Sequence, residues 1–403
     1  MIKRESYMKR IRPFIDSDLV KVMTGIRRSG KSVMLQLVQD ELLRRGVQKD
    51  QIISINFEDL KYADLHTYMA LNGEIQKRIQ AVRGKVYLFF DEIQEVEGWE
   101  KCINSFRASL NCDIYLTGSN AKLLSGELAT YLGGRYVEFV IYPFSFAEFK
   151  ELYRSVEPDT SEAKAFQQYL LMGGMPYLAN LDYKEEPCRQ YLMNLFNSVQ
   201  LKDIVQRNNI RDADLLKRVI SYVIANVGNT FSATSIHKYL KNEHRSSTGD
   251  TILNYIDYCC DAYLFYRVKR EDIQGKQLLS TNEKYYLADH GVREAVFGEN
   301  MKDINLILEN LVFMEALRRG YDITVGRAGN QEIDFILRKR EDKIYIQVTY
   351  LLASEETIDR EFGVYNAISD NYPKYVVSMD EINLSRNGIK HMNIREFLQS
   401  EWG

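Results

Sequence analysis

The sequence predicts an α/β fold: an N-terminal parallel sheet with crossover helices, a helical segment, a unit of three helices plus a hairpin, and a second α/β segment. Three observations carry this. Short apolar runs alternate with polar runs at helical spacing through residues 1–150. The pattern GIRRSGKS at 25–32 joins the first strand to the first long helix. The chain has 403 residues, 45% hydrophobic and 27% charged, enough for two or three ordinary globular cores without disulfide staples.

The elements follow in order. Residues 19–24 read as a strand, and residues 32–45 as a helix with apolar positions at 33, 34, 37, 38, 42 and 43. Strands follow at 52–57, 86–90, 114–117 and 137–141. Runs such as VYLFF suit strands buried on both faces, as in a parallel sheet. Residues 144–209 turn helical, with Gly173-Gly174 and Pro176 marking an interhelix turn. Helices at 214–226, 232–242 and 247–260 precede short strands at 263–269 and 284–287, with Gln274-Gly275-Lys276 between them. Three helices and a hairpin are the winged-helix order. A helix at 303–319 and strands at 321–326, 332–338 and 343–349 follow. A helix, a strand at 374–377 and a short helix close the chain. The expected domains are 1–145, 146–210, 211–290 and 291–403.

Composition narrows the function classes. Lys+Arg is 53 against 56 Asp+Glu, a net charge of -3, which excludes a wholesale polycation but not a local basic face. With 23 Gly and 6 Pro, fibrous and low-complexity classes are excluded. Five cysteines, at 102, 112, 188, 259 and 260, form no C-x-x-C and read as reduced core thiols. The charged start MIKRESYMKRIRPF is no signal peptide. No apolar run approaches the ~20 residues that span a bilayer. A cytoplasmic protein without membrane contact is expected.

The stretch Gly25, Ile26, Arg27, Arg28, Ser29, Gly30, Lys31, Ser32 fits G-x-x-x-x-G-K-[ST] without mismatch. Glycines let the backbone wrap an anion, so that successive N–H groups and the helix's positive dipole end point at phosphates. Lys31 would pair the β- and γ-phosphates of ATP, and the Ser32 hydroxyl would ligate Mg²⁺. Arg27 and Arg28 fill loop positions, facing either phosphate or solvent.

Phe89-Phe90-Asp91-Glu92 ends a buried strand. Asp91 would hold Mg²⁺ through water, and Glu92 would polarise the attacking water. Ile114-Tyr-Leu-Thr-Gly-Ser119-Asn120 ends the next. Asn120 is the preferred residue to orient water beside the γ-phosphate, with Ser119 second and a plain helix cap as the alternative. Arg135, after Gly133-Gly134, is either an arginine finger, in cis or from a neighbouring subunit, or a structural ion pair.

GIRRSGKS, LFFDEIQ, LTGSN and GGRY…YPFSFAEF, in that order, resemble the prokaryotic AAA+ family ATPases. LLSTNEKYYLADHGVRE and ENLVFMEALRRGY resemble the uncharacterised C-terminal domain such proteins carry. The likeness implies ATP hydrolysis with Lys31, Ser32, Asp91 and Glu92 in the roles above, Asn120 as sensor, Arg135 as finger and ring-type self-association. No clear second-sensor arginine stands in 145–209, where Arg189 and Arg207 are available.

In the winged-helix reading, 247–260 is the recognition helix. Arg245, Ser246, Ser247, Thr248, Lys238, Lys241, Arg267, Lys269, Arg270 and Lys276 are its candidate phosphate contacts. Glu243, Asp250, Glu271 and Asp272 dilute that patch, so DNA contact and protein docking both stand. Further on, Glu309, Asp334 and Gln347-Val-Thr349 follow the PD-(D/E)xK nuclease order. That chemistry needs a second core acid and a lysine, but Gln347 and Thr349 stand there, and Lys343 lies too early. A restriction-endonuclease-like domain without catalysis is expected.

The leading function is an ATP-hydrolysing switch that couples nucleotide state to a C-terminal DNA- or protein-interacting region. The alternatives are an ATP-gated winged-helix regulator without significant turnover and an ATP-controlled Mg²⁺-dependent nuclease.

Overall fold

A computed structural model describes residues 2–121, 132–242, 247–273, 277–298, 300–329 and 331–402. The chain divides into two units, Met1–Pro143 with Asp261–Tyr263 and Phe144–Cys260 with Leu264–Gly403.

The first unit opens with helix α1 (Glu5–Ile11), followed by β1 (Val20–Thr24), α2 (Lys31–Arg44), β2 (Ile52–Asn56), α3 (Tyr68–Ile79), β3 (Val86–Asp91), α4 (Trp99–Ser109), β4 (Cys112–Thr117) and β5 (Tyr136–Val140). The five strands are all parallel, in the order β2-β3-β4-β1-β5. Every residue of β1 and β3 is buried; β3 is accordingly apolar up to its last residue, while in β1 the buried Lys21 is carried by an ion pair with the buried Asp113 of β4. Val22, Leu88, Phe90, Ile114 and Leu116 form the centre of the core, and Ile103 and Phe106 of α4 pack on it. Because all five strands run parallel, the C-terminal ends of β1, β3 and β4 come out at one edge of the sheet. This is the edge where open parallel sheets bind ligands.

The second unit starts with helices Phe146–Val156, Glu162–Met172 and Glu185–Ser198. A Ser145–Glu148 capping box starts the first of them. The expected turn at Gly173-Gly174 is present, and Gly174 lies so close to the Phe144 backbone that a side chain there would strike it. The Asp289 carboxylate accepts the Gly174 N–H (2.6 Å) and the Gly291 N–H (3.0 Å). Helix His290–Phe297 packs against Glu162–Met172 and Glu185–Ser198.

The three helices expected between 214 and 260 are Ala213–Ala225, Ala233–Asn242 and Gly249–Asp261. The hairpin strands are β6 (Phe265–Asp272) and β7 (Gln277–Leu287). They do not form a separate wing. With β8 (Asp322–Ala328), β9 (Gln331–Lys339), β10 (Asp342–Val348), β11 (Lys374–Ser378) and β12 (Lys390–Asn393) they make one seven-stranded mixed sheet, β12-β11-β10-β9-β8-β6-β7. β6 pairs in parallel with β8, Arg270 opposite Val325. The boundary expected at 290/291 therefore runs through a continuous sheet, and the edge at 210/211 separates helices of one unit. Local patterning finds the two strands but not their neighbour.

Candidate phosphate-binding site

The turn after β1 takes the form its sequence requires. Gly25 has φ +132 and Gly30 φ +100, conformations that side chains rarely adopt, and Arg28 sits between them at φ 67. A Cβ at Gly25 would run into the Ile141 carbonyl, whose own N–H is bonded to the Thr24 carbonyl at 2.8 Å. Helix α2 begins at Lys31. Its first N–H groups and dipole end face the hollow of the loop. The Lys31 ammonium, buried, bonds the Gly25 and Ile26 carbonyls at 3.1 and 3.2 Å. The Ser29 hydroxyl is buried with no hydrogen-bond partner. Ser32 and Arg28 are exposed, and Arg27 reaches Glu58 at 3.3 Å.

The strand ends supply the acids. Asp91 is the last residue of β3 and is buried. The Thr117 hydroxyl donates to Asp91 and accepts the Glu92 N–H at 2.9 Å. Glu92 takes φ 54, which turns its side chain so that one carboxylate oxygen lies 4.0 Å from the Lys31 ammonium while the other accepts from Gln94. Burial raises the Glu92 pKa above the ordinary carboxylate value, opposed by the charge of Lys31. A carboxylate that holds a proton more readily is suited to taking one from water. Ser119 and Asn120 are buried just beyond β4. Gly25 to Ser32, Asp91, Glu92 and Asn120 thus gather at one edge of one sheet.

Arg135 does not join them. Its carbonyl accepts the Val20 N–H at the N-terminal end of β1, and its side chain is exposed. The five residues of β1 separate it from Gly25. At a rise of about 3.3 Å per residue, that is roughly 16 Å. The in-cis finger reading therefore falls on geometry. Thr117 and Gln94, which orient the two acids, were not singled out by sequence; a threonine closing an apolar strand and a glutamine in a polar turn are locally unremarked.

Elsewhere the expected sets come apart. Arg189 pairs with Glu186 on its own helix. Arg267 pairs with Asp257 and Glu283, and Arg270 with Glu332, so carboxylates already occupy these candidate phosphate contacts. Arg245, Ser246 and Lys276 lie outside the described residues. Lys343 bonds Asp370 at 3.2 Å.

Glu309 and Asp334 do approach one another, and the buried Lys284 ammonium lies among the acids. It is 2.9 Å from Glu309, 2.8 Å from Glu332 and 4.0 Å from Asp334. Gln347 accepts the Asp334 N–H at 3.2 Å. Among the described residues no group of three or more acids, histidines or cysteines is arranged to hold a metal ion. No helix there is long and apolar enough to cross a membrane.

A family model described as an AAA domain matches residues 17–150. A second, described as a domain of unknown function (DUF8612), matches residues 163–303, across the expected boundaries at 210/211 and 290/291. An uncharacterised protein of Haemophilus influenzae is 39% identical over 379 residues, covering 94% of this chain and 93% of that one. The uncharacterised protein MJ1544 of Methanocaldococcus jannaschii is 32% identical over 385 residues, covering 91% and 81%.

The chain belongs to this family of AAA-domain P-loop proteins.

The Walker-type ATPase PABY2304 of Pyrococcus abyssi shares the fold of this AAA-domain protein, with a TM-score of 0.52 and 18% identity over 73% of this chain and 95% of that one. The AAA-domain match spans the P-loop and the two strand-end acids.

Proposed function

We propose that this AAA-domain protein hydrolyses ATP and uses the change of nucleotide to switch its C-terminal half. One observation carries the reading: the Lys31 ammonium, held on loop carbonyls, lies 4.0 Å from Glu92, beside the Asp91 that Thr117 anchors. Lys31 is in reach of a phosphate that would draw it off those carbonyls. Ser32 and Asp91 would hold Mg²⁺, which when bound supplies charge to offset the phosphate oxygens. Glu92 takes the proton from water, and Asn120 orients that water. Hydrolysis then removes contacts to the terminal phosphate, and those contacts bias one arrangement of the chain over another.

Arg135, a strand length from its own loop, supports a finger offered to a second copy and hence self-association. The C-terminal half supports protein docking over DNA contact, because Arg267 and Arg270 are committed to carboxylates. The run of helix Ile304–Arg318, β8, β9, β10, helix Glu355–Gly363 and β11 is the order of a nuclease-like fold. Lys284 among its acids supports a scaffold without cleavage.

The test is nucleotide binding and turnover by the full chain. Lys31→Ala abolishes both. Glu92→Gln keeps ATP bound and stops turnover. Mixing Arg135→Ala with Lys31→Ala protein restores part of the activity. Normal hydrolysis by Lys31→Ala refutes the reading.

A further inference from the structure

The N-terminal segment holds a side chain that sequence reading passed over. Arg4 precedes α1 with φ 44, a left-handed conformation that costs energy for a non-glycine residue and is kept where surroundings demand it. Its side chain is buried against the phosphate loop. One guanidinium nitrogen donates to the Ser29 carbonyl at 3.1 Å, and the other to the Tyr142 carbonyl at 2.8 Å. The guanidinium lies over the Tyr7 ring, 4.5 Å from its centre, and the Tyr7 hydroxyl accepts the Tyr142 N–H at 3.1 Å.

Ser29 and Gly30 share a peptide plane. In a trans peptide the carbonyl and the following N–H point in opposite directions, so anchoring the Ser29 oxygen sets the direction of the Gly30 N–H. Glycine at Gly30 would otherwise let that plane turn over at little cost. The Gly30 N–H is one of the donors such a loop offers an anion. We propose that Arg4 is a positioning residue that latches the Ser29–Gly30 peptide, keeping the loop receptive to nucleotide phosphate. The inference rests on the nucleotide reading above for its ligand. The latch itself concerns only the loop.

Two measurements on the full chain test it. The first is hydrogen exchange of the loop segment 26–34 without nucleotide. Arg4→Ala raises it, and millimolar guanidinium, which can enter the vacated site, lowers it again. The second is the affinity for Mg·ADP and Mg·ATP. Arg4→Ala weakens both about ten- to hundredfold, the scale of one charged hydrogen bond. Arg4→Lys, with charge but no fork, falls between Arg4→Ala and wild type. Guanidinium restores Arg4→Ala binding and leaves Lys31→Ala unaffected. Unchanged exchange and affinity in a folded Arg4→Ala protein overturn the latch. So do losses that neither guanidinium nor Arg4→Lys relieves, since those mark general unfolding. If wild type binds no nucleotide while exchange still responds to Arg4 and guanidinium, the nucleotide reading fails and the latch stands.

Discussion

Replacing Gly25 with alanine puts one methyl group against the most constrained wall of the phosphate loop. The added Cβ would come within 3.2 Å of the Ile141 carbonyl carbon and 3.3 Å of its nitrogen. It would meet the carbonyl oxygen well inside 3.0 Å, a separation real Cβ contacts essentially never go below. Ile141 cannot retreat, because its N–H is bonded to Thr24 and the strand before it is paired to β1 throughout. The backbone must also keep φ +132 with a side chain present. A strained backbone costs about 1–3 kcal/mol. Overpacking adds about 1–3 kcal/mol. If the loop moves to relieve both, the energy is recovered in the free protein and lost in the bound one. At 1.4 kcal/mol per decade, about 2–6 kcal/mol is roughly thirtyfold to twenty-thousandfold in nucleotide affinity. If the loop stays, the melting temperature falls, by roughly 2–4 °C per kcal/mol for a unit of this size. Titration with a fluorescent ATP analogue and a thermal melt read the two terms separately. A Gly25→Ala protein with wild-type affinity and melting temperature refutes the close approach and the loop geometry derived from it.

Further expectations concern the second unit. Lys284→Met leaves Glu309, Glu332 and Asp334 facing one another without their cation and costs about 3–5 kcal/mol at pH 7, read by chemical denaturation. Lowering the pH recovers part of this loss as carboxyls protonate, and an unshifted midpoint contradicts the role given to Lys284. Burial pushes Asp289 up to about 6 and His290 down to about 4. Above its unfolded value near 4, Asp289 costs stability as the pH rises toward 6, about 3 kcal/mol in all. Below its unfolded value near 6.5, His290 costs about as much as the pH falls toward 4. The slopes oppose each other between pH 4 and 6, so the contributions of these two groups largely offset there. Asp289→Asn should unmask a steep loss on acidification in denaturant midpoints taken across that range, and a flat profile for the variant disproves the assignment.

The first unit was largely legible in the sequence because burial on both faces writes itself as continuous apolar runs. The strand expected at 86–90 is Val86–Asp91, and that at 137–141 is Tyr136–Val140. The loop was legible because its glycines answer a local backbone demand. What escaped were polar residues whose partners are far along the chain. Thr117 meets Asp91 across 26 residues, Lys284 meets Glu309 across 25 and Arg4 meets Tyr142 across 138. Nothing in the few residues around each announces the partner. The hairpin failed as a wing for the same reason: the local pattern marks short strands at 263–269 and 284–287 but is silent on β8 beside them.

The pairing of β6 with β8 has a consequence for synthesis. Arg270 leaves the ribosome on the order of fifty residues before Val325, its neighbour in the finished sheet. At about 5–20 residues per second, the nascent hairpin waits roughly 3–10 s with a bare edge. Bare edges recruit other chains. Slowing translation beyond codon 290, or ending it there, should therefore direct the product toward aggregates, whereas ending it near residue 143 leaves out all seven strands of that sheet.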